Sequence, residues 1–242
     1  MKLLGTVPII LAAATLAAPA NAATTISFTS GASINSGYAG TGQALTFSNG
    51  GVSARVTAWS VNSRGVISPG QLGVWSSGIG VRNIGSDNSH TIDNNGWTDF
   101  VLLQFANPVR LENARFNTGW HSMSDTDATI GYGVVPLSQI ASLEGQTWPI
   151  PWLSTFSSGA AGRSGNSTRN INPQGVSGNT WLIGASFSNP DRRLDGFKLE
   201  RVSVSTAVPE PGTWLTMLLG FGFLGGALRC RTRKHATISH SF

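Results

Sequence analysis

Short runs of apolar residues that alternate with polar ones make up much of the chain between Thr25 and Val204. The clearest is Val52–Val61, which begins with an apolar residue at every second position, namely Val52, Ala54, Val56 and Ala58. This alternation predicts a strand with one buried face. Glycine, asparagine and serine separate the runs, and no long segment has the apolar period of a helix. The pattern therefore predicts an all-β domain.

The pattern also predicts where the strands are interrupted and where they begin and end. In the last one the apolar residues change parity between Leu199 and Val202, which predicts a β-bulge near Glu200-Arg201. A helical turn is predicted at Leu137–Leu143, and the segment Gly159–Gly178, rich in serine and glycine, is predicted to be a surface loop. The predicted strands are Thr25–Thr29, Ala44–Ser48, Val52–Val61, Leu72–Trp75, Gly80–Asn83, Phe100–Phe105, Arg110–Thr118, Ala128–Val134, Thr180–Ser188 and Phe197–Val204.

Many short strands with turns between them favour an antiparallel β-sandwich, jelly-roll-like, over residues 23–205. Before this domain, a positive start at Met1 and Lys2 leads into an apolar run that ends in Ala20-Asn21-Ala22. This order predicts a secretory signal peptide at residues 1–22, which makes the domain an exported one.

The C-terminal end carries a second apolar segment. Residues 214–228 contain no charge, and as a helix they cover about 22 Å. Arginines at the helix end can extend this reach to the interface, so the sequence predicts a transmembrane helix at residues 213–228. A linker at residues 206–212, which contains Pro209-Glu210-Pro211, precedes it. The basic residues 229–242 follow as a cytoplasmic tail.

Charge is nearly balanced in the predicted exported domain, with eleven Lys or Arg against ten Asp or Glu between Ala23 and Val208. The net charge of +5 arises at the two ends, from Lys2, Arg229, Arg231, Arg233 and Lys234. No basic patch in the domain indicates a nucleic-acid partner. The single cysteine, Cys230, lies in the tail, so no disulfide is predicted in the exported domain.

The tail has an ordered set of motifs: Pro209, Glu210, Pro211 and Trp214, then Gly220, Phe221 and Gly222, then Arg229, Arg231 and Arg233. This order resembles the PEP-CTERM signal, a tail also called the ice-binding protein C-terminal domain. The resemblance implies a bacterial protein exported by the Sec machinery and held in the inner membrane by the helix. An exosortase then processes it, and it reaches the cell envelope, the surface or the extracellular matrix of a biofilm.

The domain itself contains Gly73-Val74, then His90-Thr91-Ile92-Asp93-Asn94, then Asp125-Thr126-Asp127. This order is similar to that of small exosortase-dependent surface proteins. The resemblance implies a sandwich fold and association with the matrix, and it implies no catalytic residues.

Acidic residues in predicted loops suggest a metal site. Asp93, Asp99, Asp125 and Asp127 flank predicted strands, and carboxylate oxygens suit Ca²⁺. Their spacing is not that of an EF-hand. The alternative is that these residues form Asx turns and cap strand ends, which accounts for the composition without an ion. The turn interpretation is favoured, so the sequence predicts no cofactor other than this candidate calcium.

Seven tryptophans lie in the predicted exported domain. Trp97 and Trp120 are next to polar turns, and Trp148 and Trp152 flank a Pro-Ile-Pro segment. If exposed, such indoles would provide stacking surfaces for sugar rings. The alternative is packing in the core, which is expected for most of the seven.

No motif of a known catalytic type is present, neither H-E-x-x-H nor G-x-S-x-G. His90 and His121 are isolated, and a pair such as Asp125 and Glu144 is not specific enough to indicate a glycosidase. The sequence therefore predicts a non-enzymatic surface protein that associates with exopolysaccharide, with carbohydrate binding as its activity. Two alternatives remain: an envelope enzyme that acts on polysaccharide, and an ice-binding protein, for which no regular Thr array is found.

Overall fold

The computed structural model describes residues 22–30, 32, 37–85, 89–118, 125–136, 142–159, 165–206, 219–222 and 229. One compact unit, Ala22–Thr206, contains every strand of this part of the chain. In the other unit, residues 219–222 and 229 are helical. None of the helical residues that the structure describes belongs to a helix long and apolar enough to cross a membrane. All of the predicted signal peptide except Ala22, and most of the predicted span, lie outside the described residues.

The strands follow one another along the chain with short connections. They are β1 (Ala22–Ser27), β2 (Gly37–Tyr38), β3 (Leu45–Asn49), β4 (Val52–Val61), β5 (Ile67–Pro69), β6 (Gln71–Trp75), β7 (Gly78–Arg82), β8 (Ile92–Asp93), β9 (Thr98–Asn117), β10 (Ala128–Gly133), β11 (Ser154–Ser158), β12 (Ser167–Asn170), β13 (Gly178–Ala185) and β14 (Gly196–Thr206).

These strands form one antiparallel system in the order β11-β10-β13-β9-β14-β7-β6-β2. Off this path, β1 and β8 pair with β14, β12 pairs with β9, and β4 pairs with β3, β5 and β9. Most neighbours in the sheet are therefore distant in sequence. The all-β, antiparallel class predicted from the alternation of apolar residues is confirmed.

Strand β9 joins two halves of the sheet. Its first part, from Thr98 to Gln104, pairs with β4 and β13, and its second part, from Arg110 to Asn117, pairs with β14. Pro108 lies between the two parts, with Ala106 and Asn107, and all three are exposed. Proline has no backbone N–H to donate to a ladder, so the change of partners falls where pairing is already interrupted.

Alternate residues of β9 and β13 enter two different apolar clusters. Val101 and Leu103 belong to the larger cluster, whereas Phe100 and Leu102 belong to the smaller one. In β13, Trp181 joins the larger cluster, and Leu182 joins the smaller one. Both faces of these strands are therefore buried, and every residue of β13 is buried.

Several local predictions can be compared with the strands. The strand Val52–Val61 has the predicted bounds, and the predicted bulge is confirmed by a register shift between Leu199 and Arg201. The strands predicted on either side of Pro108 are one strand, β9. The segment Gly159–Gly178 is not only loop, because β12 pairs with β9 within it. Most of the predicted helical turn at Leu137–Leu143 lies outside the described residues.

Candidate functional site

Three aspartates meet at the point where two strands begin. Asp127 directly precedes β10, with Asp125 two residues before it, and Asp195 directly precedes β14. Asp125 and Asp195 form a parallel β-bridge, and the Gly196 N–H donates to the Asp125 carbonyl at 3.1 Å. Each aspartate offers a carboxylate oxygen, and these oxygens lie within 4.8 Å of one another. We call Asp125, Asp127 and Asp195 the carboxylate cluster.

Hydrogen bonds hold one oxygen of each fully buried carboxylate. Oδ1 of Asp125 accepts from the Thr126 N–H at 2.7 Å, and Oδ2 of Asp195 accepts from Nδ2 of Asn94 at 2.7 Å. Asn94 also accepts from the Asp195 N–H at 2.9 Å. The other oxygens, Oδ2 of Asp125 and Oδ1 of Asp195, are buried and receive no hydrogen bond from the residues that the structure describes.

Burial and mutual repulsion act on the acidity of the cluster. Burial, and next the carboxylates of the other two members, raise the pKa of Asp195 to about 7, against the opposing effect of the Asn94 hydrogen bond. Burial likewise raises the pKa of Asp125, and the carboxyl of Asp191 on an exposed turn raises it in addition. The surroundings of Asp125 and Asp195 therefore disfavour the charged form of both carboxyl groups.

Arg169, from β12, packs beside the cluster. Its guanidinium donates to the Thr126 carbonyl, to the Thr126 hydroxyl at 3.0 Å and to the Ser158 carbonyl at 3.1 Å, and it stacks 3.8 Å above the Phe116 ring. These contacts position Thr126, which lies between the two aspartates. Burial lowers the pKa of Arg169 to about 10, and the nearby carboxylates oppose this lowering.

A second group of polar side chains lies on the β2–β6–β7 part of the sheet. Nζ of Lys198, in β14, lies 3.3 Å from the centre of the Trp75 ring and donates to the His90 carbonyl at 2.9 Å. The His90 ring stacks on Trp75, and its Nδ1 lies 2.5 Å from the Tyr38 hydroxyl. We call Tyr38, Trp75, His90 and Lys198 the lysine cluster. Burial lowers the pKa of Lys198 to about 7.

Two glycines make room for the lysine cluster. A Cβ at Gly73 would lie 1.9 Å from the Trp75 ring, and a Cβ at Gly80 would lie 1.9 Å from the His90 carbonyl oxygen. The Trp75 ring therefore folds back over its own strand. The His90 carbonyl can approach β7 closely enough for Lys198 to reach it. The Gly-Val and His-x-Ile-Asp-Asn elements noted in the sequence meet at this point.

The sequence-predicted calcium ligands do not all come together. Asp125 and Asp127 lie in the carboxylate cluster, whereas Asp93 and Asp99 are outside it. Asp93 accepts from the hydroxyls of Ser89 and Thr91, and from the Asn95 N–H at 3.0 Å, which is the predicted Asx turn. Asp99 accepts from Nδ2 of Asn83 at 3.1 Å. Both carboxylates are thus bound by the protein itself.

The third member of the cluster, Asp195, was absent from the sequence-based set. Its only local signal is its place at the end of the polar segment Asn189 to Asp195, directly before the last strand. That segment contains two non-glycine residues with positive φ, Asn189 at 32° and Arg192 at 60°. The sequence could show a turn here but not which acids it would face.

The candidate sugar-stacking tryptophans are less exposed than a free platform requires. Trp97, Trp148 and Trp152 are half-buried, and Trp120 lies outside the described residues. Trp148 stacks on Phe187 with ring centres 3.9 Å apart, and Trp152 also packs against the smaller apolar cluster. Trp59 and Trp181 are buried, as expected for core tryptophans.

The histidines and the acid pair considered for catalysis do not form a site. His90 is exposed and belongs to the lysine cluster, and His121 lies outside the described residues. Glu144 is exposed on a turn, whereas Asp125 is fully buried.

Comparison with protein families identifies the C-terminal tail. Residues 207–234 match the family model described as the PEP-CTERM protein-sorting motif, so the resemblance noted in the sequence is confirmed. The chain is therefore an exported surface protein that an exosortase sorts and processes. The match includes the whole predicted sorting motif, from Pro209 to Arg233. No curated protein matches the chain.

Proposed function

We propose that this chain is a non-enzymatic surface protein that associates with the exopolysaccharide matrix of the cell that exports it. The observation that carries the proposal is the PEP-CTERM motif at residues 207–234. In this proposal the Sec machinery exports the chain, and the predicted helix at residues 213–228 holds it in the inner membrane until it is processed. The compact unit Ala22–Thr206 then reaches the envelope or matrix, with the jelly-roll-like sandwich as its fold.

The distances within the carboxylate cluster support a non-enzymatic role. Glycoside hydrolases place their two carboxyl groups about 5–5.5 Å apart in retaining enzymes and about 6.5–9.5 Å apart in inverting ones. The oxygens of the carboxylate cluster lie within 4.8 Å, and Asp125 and Asp195 are both fully buried. Neither of these two carboxyl groups is therefore exposed to a glycosidic bond in solution.

The alternative enzyme has one observation in its favour, the pKa of Asp195 near 7, a value suited to a general acid. It predicts that the chain shortens the exopolysaccharide of the exporting cell and that Asp195→Asn abolishes this activity. Unchanged polymer size after prolonged incubation would contradict the enzyme alternative and leave the non-enzymatic binding proposal in place. Ice binding stays a prediction that a thermal-hysteresis measurement can test.

Retention on the matrix polymer tests the proposed function. The full chain, purified in detergent micelles, is mixed with exopolysaccharide isolated from the exporting cells and sedimented. We expect the chain to sediment with the polymer, and we expect Trp148→Ala and Trp152→Ala each to weaken retention only about twofold, because part of each half-buried ring is exposed for stacking. Trp75→Phe, in the lysine cluster, is the control and retains binding. An absence of wild-type retention contradicts the proposal.

A further inference from the structure

The carboxylate cluster has the dimensions of a calcium site. Calcium binds oxygen ligands at about 2.3–2.6 Å, so two ligands on opposite sides of one ion lie about 4.6–5.2 Å apart. The carboxylate oxygens of Asp125, Asp127 and Asp195 all lie within 4.8 Å of one another. A single ion can therefore contact all three side chains after small movements of their oxygens.

The hydrogen bonds around the cluster leave ligand positions open. Asp125 and Asp195 are both fully buried, and each has one oxygen held by a hydrogen bond, from the Thr126 N–H and from Asn94. The second oxygen of each receives no hydrogen bond from the described residues. A buried polar atom without a partner is destabilising by about 1–3 kcal/mol, and more when it is charged. Metal-binding carboxylates are oriented in this way, with one oxygen held and the other on the ion.

The carboxylate cluster also has more negative than positive charge. Arg169 lies beside the three carboxylates, but its N–H groups donate to Thr126 and Ser158, which fix the backbone between the aspartates. One guanidinium cannot neutralise three carboxylates. A divalent cation supplies the missing positive charge and also gives the two unpartnered oxygens a ligand bond.

We propose that Asp125, Asp127 and Asp195 bind a calcium ion. All three donors are carboxylate oxygens, which favour hard cations over zinc or copper. Calcium also accepts the irregular ligand geometry of a cluster built from two strand starts, whereas Mg²⁺ requires near-ideal octahedral coordination. An exported protein meets calcium at concentrations suited to the weaker sites of extracellular modules, with dissociation constants of about 0.1–1 mM.

The bound ion would join the two halves of the sheet. Asp127 directly precedes β10, which pairs with β11 and β13, and Asp195 directly precedes β14, which pairs with β1 and the second part of β9. Calcium therefore stabilises the contact between the two strand starts. Without it, the same contact brings like charges together.

Calcium titration of the full chain tests the proposal. The protein is purified in detergent micelles, stripped with EDTA and titrated with CaCl₂ by calorimetry, and its melting is followed by circular dichroism with and without calcium. We expect binding at a dissociation constant of about 1 mM or below and a melting temperature that rises with calcium. We expect Asp125→Asn and Asp195→Asn to weaken binding at least tenfold and to abolish this rise.

The same variants give a second readout with the opposite sign. In EDTA they melt at or above the wild-type temperature, because each removes a buried carboxylate from a repulsive cluster. Asp127→Asn, at the least buried member, serves if either variant fails to fold. Glu144→Gln, on an exposed turn, is the control and leaves affinity unchanged, and Asp99→Asn tests the sequence-based ligand set. An absence of binding at about 10 mM calcium, or wild-type affinity in both cluster variants, overturns the proposal.

Discussion

Asp195 and Lys198 lie three residues apart at the start of β14, and each buries an ionisable group in the same sheet. The ammonium of Lys198 has groups that favour its charge: the face of the Trp75 ring at 3.3 Å and the His90 carbonyl at 2.9 Å. The carboxylate of Asp195 has one such group, Asn94, and three further carboxylates that oppose its charge, those of Asp125, Asp127 and Asp191.

The difference shows that a shifted pKa does not by itself distinguish a satisfied buried charge from an open ligand site. Burial moves both groups towards neutrality, and each has a pKa of about 7. The hydrogen-bond partners separate them. In the lysine cluster, the Trp75 ring and the His90 carbonyl stabilise the ammonium charge. In the carboxylate cluster, two oxygens have no hydrogen-bond donor among the described residues. Under the calcium proposal, only the second takes an ion from solution.

The largest expected effect comes from removing the ring that supports the lysine charge. Trp75→Ala deletes a half-buried indole that contacts Lys198, His90 and Tyr38, so we expect the free energy of unfolding to fall by about 3 kcal/mol. Urea unfolding followed by circular dichroism measures it. Trp75→Phe keeps an aromatic face and is expected to lose about half as much. A loss below about 1 kcal/mol for the alanine variant would show that the lysine cluster is not held by this ring.

The pH dependence of stability tests the buried ammonium. Because the pKa of Lys198 falls from 10.5 to about 7 on folding, the unfolded chain binds more protons between these values. The free energy of unfolding therefore rises as the pH increases from about 7 towards 10.5. Lys198→Met keeps the buried stem and removes the charge, so this part of the rise, on the order of 2 kcal/mol, disappears.

His90 contacts this lysine, Tyr38 contacts the His90 ring, and Arg82 lies over the Tyr38 ring. All three remain in both proteins, so the difference between the two profiles isolates Lys198. Urea unfolding at several pH values gives the two profiles. Parallel profiles for the wild type and Lys198→Met would contradict a buried ammonium with a lowered pKa.

The smallest expected effect on stability concerns the residue that orients Asp195. Asn94→Ala removes two hydrogen bonds to Asp195, at 2.7 and 2.9 Å, and should cost about 1 kcal/mol in EDTA. Its larger consequence is a calcium affinity about tenfold weaker, because the carboxylate loses its orientation. Calorimetry measures the affinity. Asn49→Ala, which removes an exposed hydrogen bond to the Thr25 carbonyl, is the control and keeps wild-type affinity.

Local patterns were sufficient for the longer strands. The alternation in Val52–Val61 depends only on the two-residue period of a strand, and the parity change after Leu199 marks the bulge for the same reason. Short strands such as β2, β8 and β12 could not be predicted in this way, because two to four residues do not establish a period. They are strands only because a longer neighbour offers hydrogen bonds to them.

The candidate site was predictable in kind and only partly in membership. Acidic residues at strand ends suggested calcium, and two of the four suggested residues, Asp125 and Asp127, lie in the cluster. Asp93 and Asp99 have the same residue type and similar sequence surroundings, but hydroxyl and amide donors from their neighbours engage them. Which acids meet in the cluster depends on tertiary contacts that composition and spacing do not contain.

The sequence alone determined where this protein goes and which class of fold it adopts. Sorting signals are contiguous and are read in order along the chain, and alternation of apolar residues is a local property of each strand. Only the tertiary structure decided that Asp195 faces Asp125 and that Lys198 lies over Trp75. Both meetings depend on the register of β14 against distant strands, which is determined by packing across the whole sheet.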